Sequence, residues 1–183
     1  MKEKFIQIYN ENIKRSGADN LLNWLENSDF FKAPASTRYH GAFEGGLVEH
    51  SIHVYEMLAH SIVDMTAETR AVISLLHDLC KADFYKTDTR NVKNENTGIW
   101  EKVPYYTIED QLPFGHGEKS VYIINSFMRL TREEAMAINW HMGGFDDRVK
   151  GGNFSLSTIF EKYPLALELH IADMRASFIT ERT

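Results

Sequence analysis

An all-α fold is predicted for this chain, and three observations carry the prediction. Apolar residues recur at helical spacing through most of the 183 residues. Helix-starting residues stand just ahead of several of those runs, and only one stretch, around residues 84–110, switches to the alternation of an extended chain. A hydrophobic fraction of 43% and an aromatic fraction of 12% belong to a folded globular chain rather than a disordered one. At this length the expected organisation is a single domain over residues 1–183 with a substantial core.

The elements follow in order. "EKFIQIYNENIK" reads as a surface helix with Phe5, Ile8 and Tyr9 turned inward, and "ADNLLNWLENS" as a short second one. Residues 33–46, "APASTRYHGAFEGG", carry Pro34, Gly41, Gly45 and Gly46 and read as loop. "LVEHSIHVYEMLAHSI" is the next helix, and Thr66 is placed to cap another through "TAETRAVISLLHDLC". "FYKTDTRNVKNENTGIWEKVPYYTIED" sets Asn-Glu-Asn-Thr-Gly between two β-prone runs, so a small hairpin or irregular excursion is expected there. "GEKSVYIINSFMRL" returns to helix, and "TREEAMAINWHM" opens with Thr131 and Glu134 at capping-box spacing. "GGFDDRVKGGNFS" reads as loop before the last helices, and Pro164 starts the final one, "PLALELHIADMRASFI".

Polar residues interrupt three apolar faces. Within "LLHDLCK", Leu75, Leu76 and Leu79 join Val72 in an i, i+3, i+4, i+7 stripe. Ser74, His77, Asp78 and Lys81 form a second stripe turned by about one residue, so His77 and Asp78 border the core, with Lys81 one turn beyond Asp78. Cys80 is expected to face away from that stripe as a small buried apolar residue. In the preceding helix His50 shares a face with Leu47, Val54, Met57 and Ser61, whereas His53 and His60 fall with Glu49 and Glu56 on a face expected to be solvated. Asp173 lies among Leu165, Leu169, Ala172 and Ala176. A carboxylate there is costly to bury unless a cation pairs with it. Each of His50, His77, Asp78 and Asp173 alone is compatible with a separately satisfied core group. Together they favour a metal ion, which removes the desolvation cost of the whole set and suits imidazole and carboxylate donors.

Composition narrows the partners. The formal net charge of −6 and a pI near 5.7 speak against a general nucleic-acid or anionic-membrane binder. Cys80 is the single cysteine, so an internal disulfide is excluded. "MKEKFIQIYNENIKR" is too charged for a signal peptide and no apolar run approaches membrane-spanning length, so a cytoplasmic protein without membrane partners is expected.

The order His50, then His77–Asp78, then Asp173 resembles the HD superfamily of metal-dependent phosphohydrolases. "YHGAFEGGLVEHS" is similar to the family's first-histidine segment, "LLHDLCK" to its His-Asp-x-x-Lys motif, and "HIADMRAS" to its closing aspartate helix, so the likeness spans roughly residues 39–177. The resemblance implies an all-α HD-domain bundle with a core over about 39–180 and N-terminal helices within 1–30 packed on it. "FGHGEKS" and "INWHMGG" place His116 and His141 at the stations of the dinuclear branch. By resemblance Asp78 bridges two ions; His50, His77 and Asp173 complete the first, and His116 and His141 the second. Two divalent ions are implied, drawn from Mn, Fe, Zn, Co, Ni or Mg. The residues alone also allow His116 to be a capping loop residue and His141 a partner of a helix dipole. The Gly-Tyr-Pro signature of cyclic-dinucleotide members is absent.

The implied function is hydrolysis of a phosphate ester, of a nucleotide or related small phosphorylated substrate, by a metal-bound hydroxide. Asp78 and Lys81 are the expected catalytic residues: Lys81 either binds a phosphoryl oxygen, helps the leaving group depart, or snorkels to solvent. Lys119, Arg148, Lys150 and Arg175 are further cations for a phosphate. His40 either lines the substrate mouth or is an ordinary loop histidine, and His170 stands one turn before Asp173. An acidic chain without a basic stripe disfavours long nucleic acid. Two other classes stay open, a dinuclear-iron oxygenase of HD type and a metal-binding regulatory or binding module. The complete ligand set argues against the second.

Overall fold

Nine α-helices and one hairpin account for the regular structure in the computed structural model, which describes residues 1–181. The helices are α1 (Lys2–Asn12), α2 (Ala18–Asn27), α3 (Gly46–Leu58), α4 (Ala67–Leu76), α5 (His116–Asn125), α6 (Arg132–Trp140), α7 (Asp147–Lys150), α8 (Leu156–Lys162) and α9 (Pro164–Arg175). Strands β1 (Tyr85–Lys93) and β2 (Trp100–Ile108) pair antiparallel, in register from Tyr85 opposite Ile108 to Lys93 opposite Trp100. The chain is thus mostly helical with a single two-stranded ribbon, as the periodicity predicts. No helix among the described residues is long and apolar enough to cross a membrane.

Buried apolar residues from Phe5 in α1 to Ala176 after α9 belong to one hydrophobic cluster. Helices α3, α4, α6 and α9 pack on one another around it, α5 lies against α6, and α1 covers α3 and α4. Phe5 and Tyr9 are buried as expected, with Phe5 5.2 Å from Phe30 between ring centroids and the Tyr9 hydroxyl donating to Ala18 O at 2.9 Å. Most of the hairpin is exposed; its Tyr85 end reaches the core. Asn94 turns it, its side-chain oxygen accepting from the N–H groups of Asn96 (3.0 Å) and Thr97 (3.2 Å).

Both predicted caps form. Thr66 accepts from Thr69 N–H at 3.0 Å. Thr131 and Glu134 make the reciprocal box, at 3.2 Å and 2.9 Å. The Glu134 carboxylate is fully buried, and Arg15, from the α1–α2 connection, answers it through both terminal nitrogens at 2.7 Å and 2.9 Å.

Some boundaries differ from the sequence reading. Helix α5 stops at Asn125 because Ser126 bonds back to Tyr122 O at 2.9 Å and the chain turns to bury Met128. The loop after α6 contains α7, nucleated by Asp146, whose side chain accepts from Arg148 N–H at 2.8 Å. Helix α9 opens into a π-helical turn, Ala176–Thr180. One glycine sets the close approach that the site needs: a Cβ at Gly117 would stand 2.3 Å from Asn139 O, so α5 lies directly on α6.

Candidate metal centre

Helix ends, more than helix faces, build the site. Helix α4 stops at Leu76, one residue before the His77–Asp78 pair, which the sequence reading had placed within the helix. The reason is local. His77 Nδ1 bonds Ser74 O at 2.8 Å, satisfying a carbonyl that the helix end would leave free. The chain then passes through Asp78 (φ −99°, ψ 22°) into a 3₁₀ turn over Leu79–Lys81. His141 repeats the device at the end of α6, with Nδ1 bonded to Ile138 O at 2.7 Å. His50 lies within α3, Asp173 within α9, and His116 is the first residue of α5.

The structure brings these residues together around Asp78, whose two oxygens face different histidines. Oδ2 lies 3.5 Å from His77 Nε2, 3.8 Å from His50 Nε2 and 2.6 Å from Lys81 Nζ. Oδ1 lies 2.7 Å from His116 Nε2 and 3.4 Å from His141 Nε2. His50 Nε2 is also 3.2 Å from His77 Nε2 and 3.2 Å from Asp173 Oδ1. His50, His77, Asp78 and His141 are essentially closed to solvent, while the His116 side chain is 29% exposed and marks the open side.

Tautomers decide what this arrangement can do. Because Nδ1 of His77 and of His141 is bonded to a backbone carbonyl, each ring turns its Nε2 toward the Asp78 carboxylate. His141 Nε2 is buried without a hydrogen-bond partner, 3.4 Å from Asp78 Oδ1. A cation between them could be ligated by both. Burial lowers His77 to about 3, so its lone pair is free at neutral pH. Burial also works against charge on His50 and His116, but carboxylates outweigh it at His50, raising it to about 9. At His116 the Cys80 sulfur and Asp78 raise it to about 10. Asp78 and Asp173 resist the upward push of burial: Lys81 and the histidines hold Asp78, and His50 holds Asp173, well below the usual carboxylate range. In effect, protons and Lys81 supply positive charge to a cluster that could hold metal ions.

Several neighbours correct or extend the sequence reading. Cys80 does not face away: its Sγ lies 3.4 Å from His116 Nδ1 and 3.6 Å from Nε2, because the 3₁₀ turn rotates the chain past an α-helical continuation. His53 is not a solvated histidine; its Nδ1 lies 2.8 Å from Glu181 Oε1 and its side chain is mostly buried. His60 is exposed, as expected. Glu181, unassigned by sequence, also bonds His50 Nδ1 at 3.1 Å and fixes that ring from behind. His40 packs on His50 with centroids 5.0 Å apart, and its Nε2 lies 3.3 Å from Ser177 Oγ. His170 bonds His141 O at 2.7 Å, and a Cβ at Gly143 (φ +53°) would stand 2.5 Å from its ring. Lys119 is taken up by Asp110 at 2.5 Å, and Arg148 by Asp146 at 2.7 Å and Glu118 at 2.6 Å. Lys150 pairs with Asp147 at 3.3 Å on the surface, and Arg175 is exposed near the end of α9.

Atoms that could ligate a metal gather within 4.8 Å of one another in four overlapping groups: His40–His50–Glu181, His50–His77–Asp173, His77–Asp78–His141 and Asp78–Cys80–His116. No protein-family model, no curated protein and no solved structure matches the chain. What these observations establish is a helical protein with a buried histidine–aspartate cluster able to hold metal ions.

Proposed function

We propose that this protein is a metal-dependent phosphohydrolase of HD type, acting on a nucleotide or related small phosphorylated substrate. The observation that carries the reading is the division of Asp78: one oxygen is turned to His50 and His77, the other to His116 and His141. A carboxylate so placed could serve two ions at once. His50, His77, Asp78 and Asp173 would hold one ion, and Asp78, His116 and His141 a second. When bound, a pair of divalent ions supplies Lewis acidity for a phosphoryl group and raises the acidity of water. The chain's own residues do the rest. Ser74 O and Ile138 O hold Nδ1 of His77 and of His141, which turns each Nε2 toward Asp78, and His77, lowered by burial to about 3, has no second proton to lose. Lys81 is held beside Asp78 rather than snorkelling outward, which leaves a cation next to the position of a phosphoryl oxygen. The exposed edge of His116 gives the side from which substrate enters. Lys119 and Arg148 are engaged by carboxylates and so are not free to hold a long polyanion, which favours a small substrate.

The test is a metal-supplemented screen of phosphate release from nucleotides, cyclic nucleotides and short oligonucleotides. Activity is expected with at least one class and is expected to vanish in Asp78→Asn, together with bound metal. Metal-replete protein that releases no phosphate but consumes oxygen with an organic substrate would overturn hydrolysis in favour of the oxygenase chemistry.

A further inference from the structure

We propose that the free edge of β1 is a self-pairing surface, to which a second copy of this chain adds its own β1 antiparallel, forming a four-stranded ribbon. The sheet has two strands, so each keeps one edge without a partner strand among the described residues. Register decides what those edges offer. Phe84 O, just before β1, accepts from Glu109 N–H, and Asn94 N–H, just after it, donates to Ile99 O, both at 2.9 Å. Ladder bonds alternate, so the even-numbered residues of β1 turn their backbone groups to β2 and the odd-numbered ones turn theirs outward. Thr89 shows this directly. Its partner across the ladder is Pro104, which has no N–H, and its own N–H is met by the adjacent Asp88 carboxylate at 2.7 Å. The two outer edges are unequal. Pro104 interrupts the edge of β2 at its middle, whereas β1 contains neither proline nor glycine.

The side chains of β1 select a second β1 as the occupant. Turned antiparallel about Thr89, two copies set Thr89 opposite Thr89 as a hydrogen-bonded pair. Asp88 then stands opposite Arg90 of the second copy, and two-fold symmetry makes that pair twice. Both fall at non-hydrogen-bonded positions, where facing side chains stand closest. The remaining pairs, Lys86 with Val92, Thr87 with Asn91 and Tyr85 with Lys93, oppose no like charges. Neighbouring registers do. An axis through Asp88 sets Asp88 against itself and Lys86 against Arg90, and an axis through Arg90 sets Arg90 against itself. Charge therefore selects the Thr89 register among the three. In the single chain Asp88 holds Thr89 N–H, while Arg90 lies over the Tyr105 ring, 5.4 Å from its centroid. Pairing gives that N–H a carbonyl and frees Asp88 for Arg90 of the second copy. The same register carries Lys93, with the 66% exposed Trp100 across from it, to Tyr85 of the second copy, where the hairpin reaches the core.

Sedimentation equilibrium of the intact protein is the test, and the wild-type chain is expected to show a monomer–dimer equilibrium. Arg90→Asp turns both charge pairs into like-charge pairs and is expected to raise the dimer Kd by about tenfold or more. Combining it with Asp88→Arg restores opposite charges in the same register, so the double variant is expected to return to within about threefold of the wild-type Kd. Thr89→Pro removes an outward N–H that β2 does not use, and is expected to leave a monomer. Asp88, Thr89 and Arg90 are all exposed and outside the core, so the fold is expected to survive each change. A wild-type dimer that every variant keeps overturns β1 as the interface. A dimer lost in Arg90→Asp and not regained in the double variant overturns the Thr89 register. Wild-type protein that stays monomeric at every concentration reached overturns the second copy as occupant and leaves the edge to a strand of another protein.

Discussion

Asp78 could be singled out from sequence because a carboxylate beside a histidine on a leucine-rich stripe is costly to bury. His50 and Asp173 were legible for the same reason, as polar residues on apolar faces of their helices. Glu181 and Cys80 were not. Glu181 follows the last helical run, where no periodicity assigns a face, and its partners His50 and His53 lie far away in the chain. Cys80 was misplaced because helical spacing was continued through a turn that is 3₁₀, the same turn that sets Lys81 over Asp78 at 2.6 Å. Glu181 gives a prediction. Its carboxylate receives the His50 Nδ1–H at 3.1 Å, which leaves Nε2 to face Asp173 and Asp78. Glu181→Ala is expected to weaken metal binding by about 10–100-fold, the usual consequence of losing such a partner. Glu181→Gln, whose amide oxygen can still accept that hydrogen bond, should fall between. Isothermal titration with zinc measures both, and unchanged affinity in Glu181→Ala would show the contact to be dispensable.

Helices α4 and α6 share one device: each ends on a histidine that closes its own last turn and so aims Nε2 at Asp78. Sequence periodicity locates such helices well but not their last residues, because Leu79 continues the apolar spacing after the helix has stopped at Leu76. The capping box of α6 shows the same division. Thr131 and Glu134 were readable as a local pair, whereas Arg15, which neutralises Glu134, comes from the other end of the chain. That long-range pair ties the α1–α2 connection to α6, and Thr69 at the start of α4 joins it through Glu134 at 3.1 Å. Removing Arg15 leaves a fully buried carboxylate facing only neutral donors. Arg15→Ala is therefore expected to destabilise the protein by about 3–5 kcal/mol, read from urea unfolding. Adding Glu134→Gln to that variant should recover part of the loss, since the orphaned charge is gone. A loss below about 1 kcal/mol would mean that water reaches Glu134.

Which helix ends meet is a property of the assembled molecule, and single-sequence spacing does not determine it. Helical spacing indicates that α3, α4, α6 and α9 each bury a face; that their packing brings His50, His77, His141 and Asp173 around Asp78 depends on contacts such as Gly117 against Asn139. Convergence has an energetic consequence for the whole fold. Asp78, Asp173 and Glu181 lie together, and without an ion the compensating charge comes from Lys81 and from protons on His50 and His116. Those histidines are raised to about 9 and about 10, so at pH 7 an ion held by His50 must displace one proton and an ion held by His116 another. His77, lowered to about 3, gives up none. The sign follows: protons compete with metal, so apparent affinity rises with pH until His50 and His116 lose their protons unaided, and falls as pH drops. Each displaced proton changes the affinity for its own ion by about tenfold per pH unit. Because ion binding stabilises only the folded chain, free metal at a hundred times its dissociation constant adds about 2.7 kcal/mol. For a chain of this size that raises Tm by about 5–10 °C. Thermal unfolding with and without zinc at fixed free concentration, followed from pH 6 to pH 8, is expected to show a rise in Tm that grows with pH. A rise of equal size at every pH would mean that no proton leaves when the ion enters, and that His50 and His116 are not among its ligands.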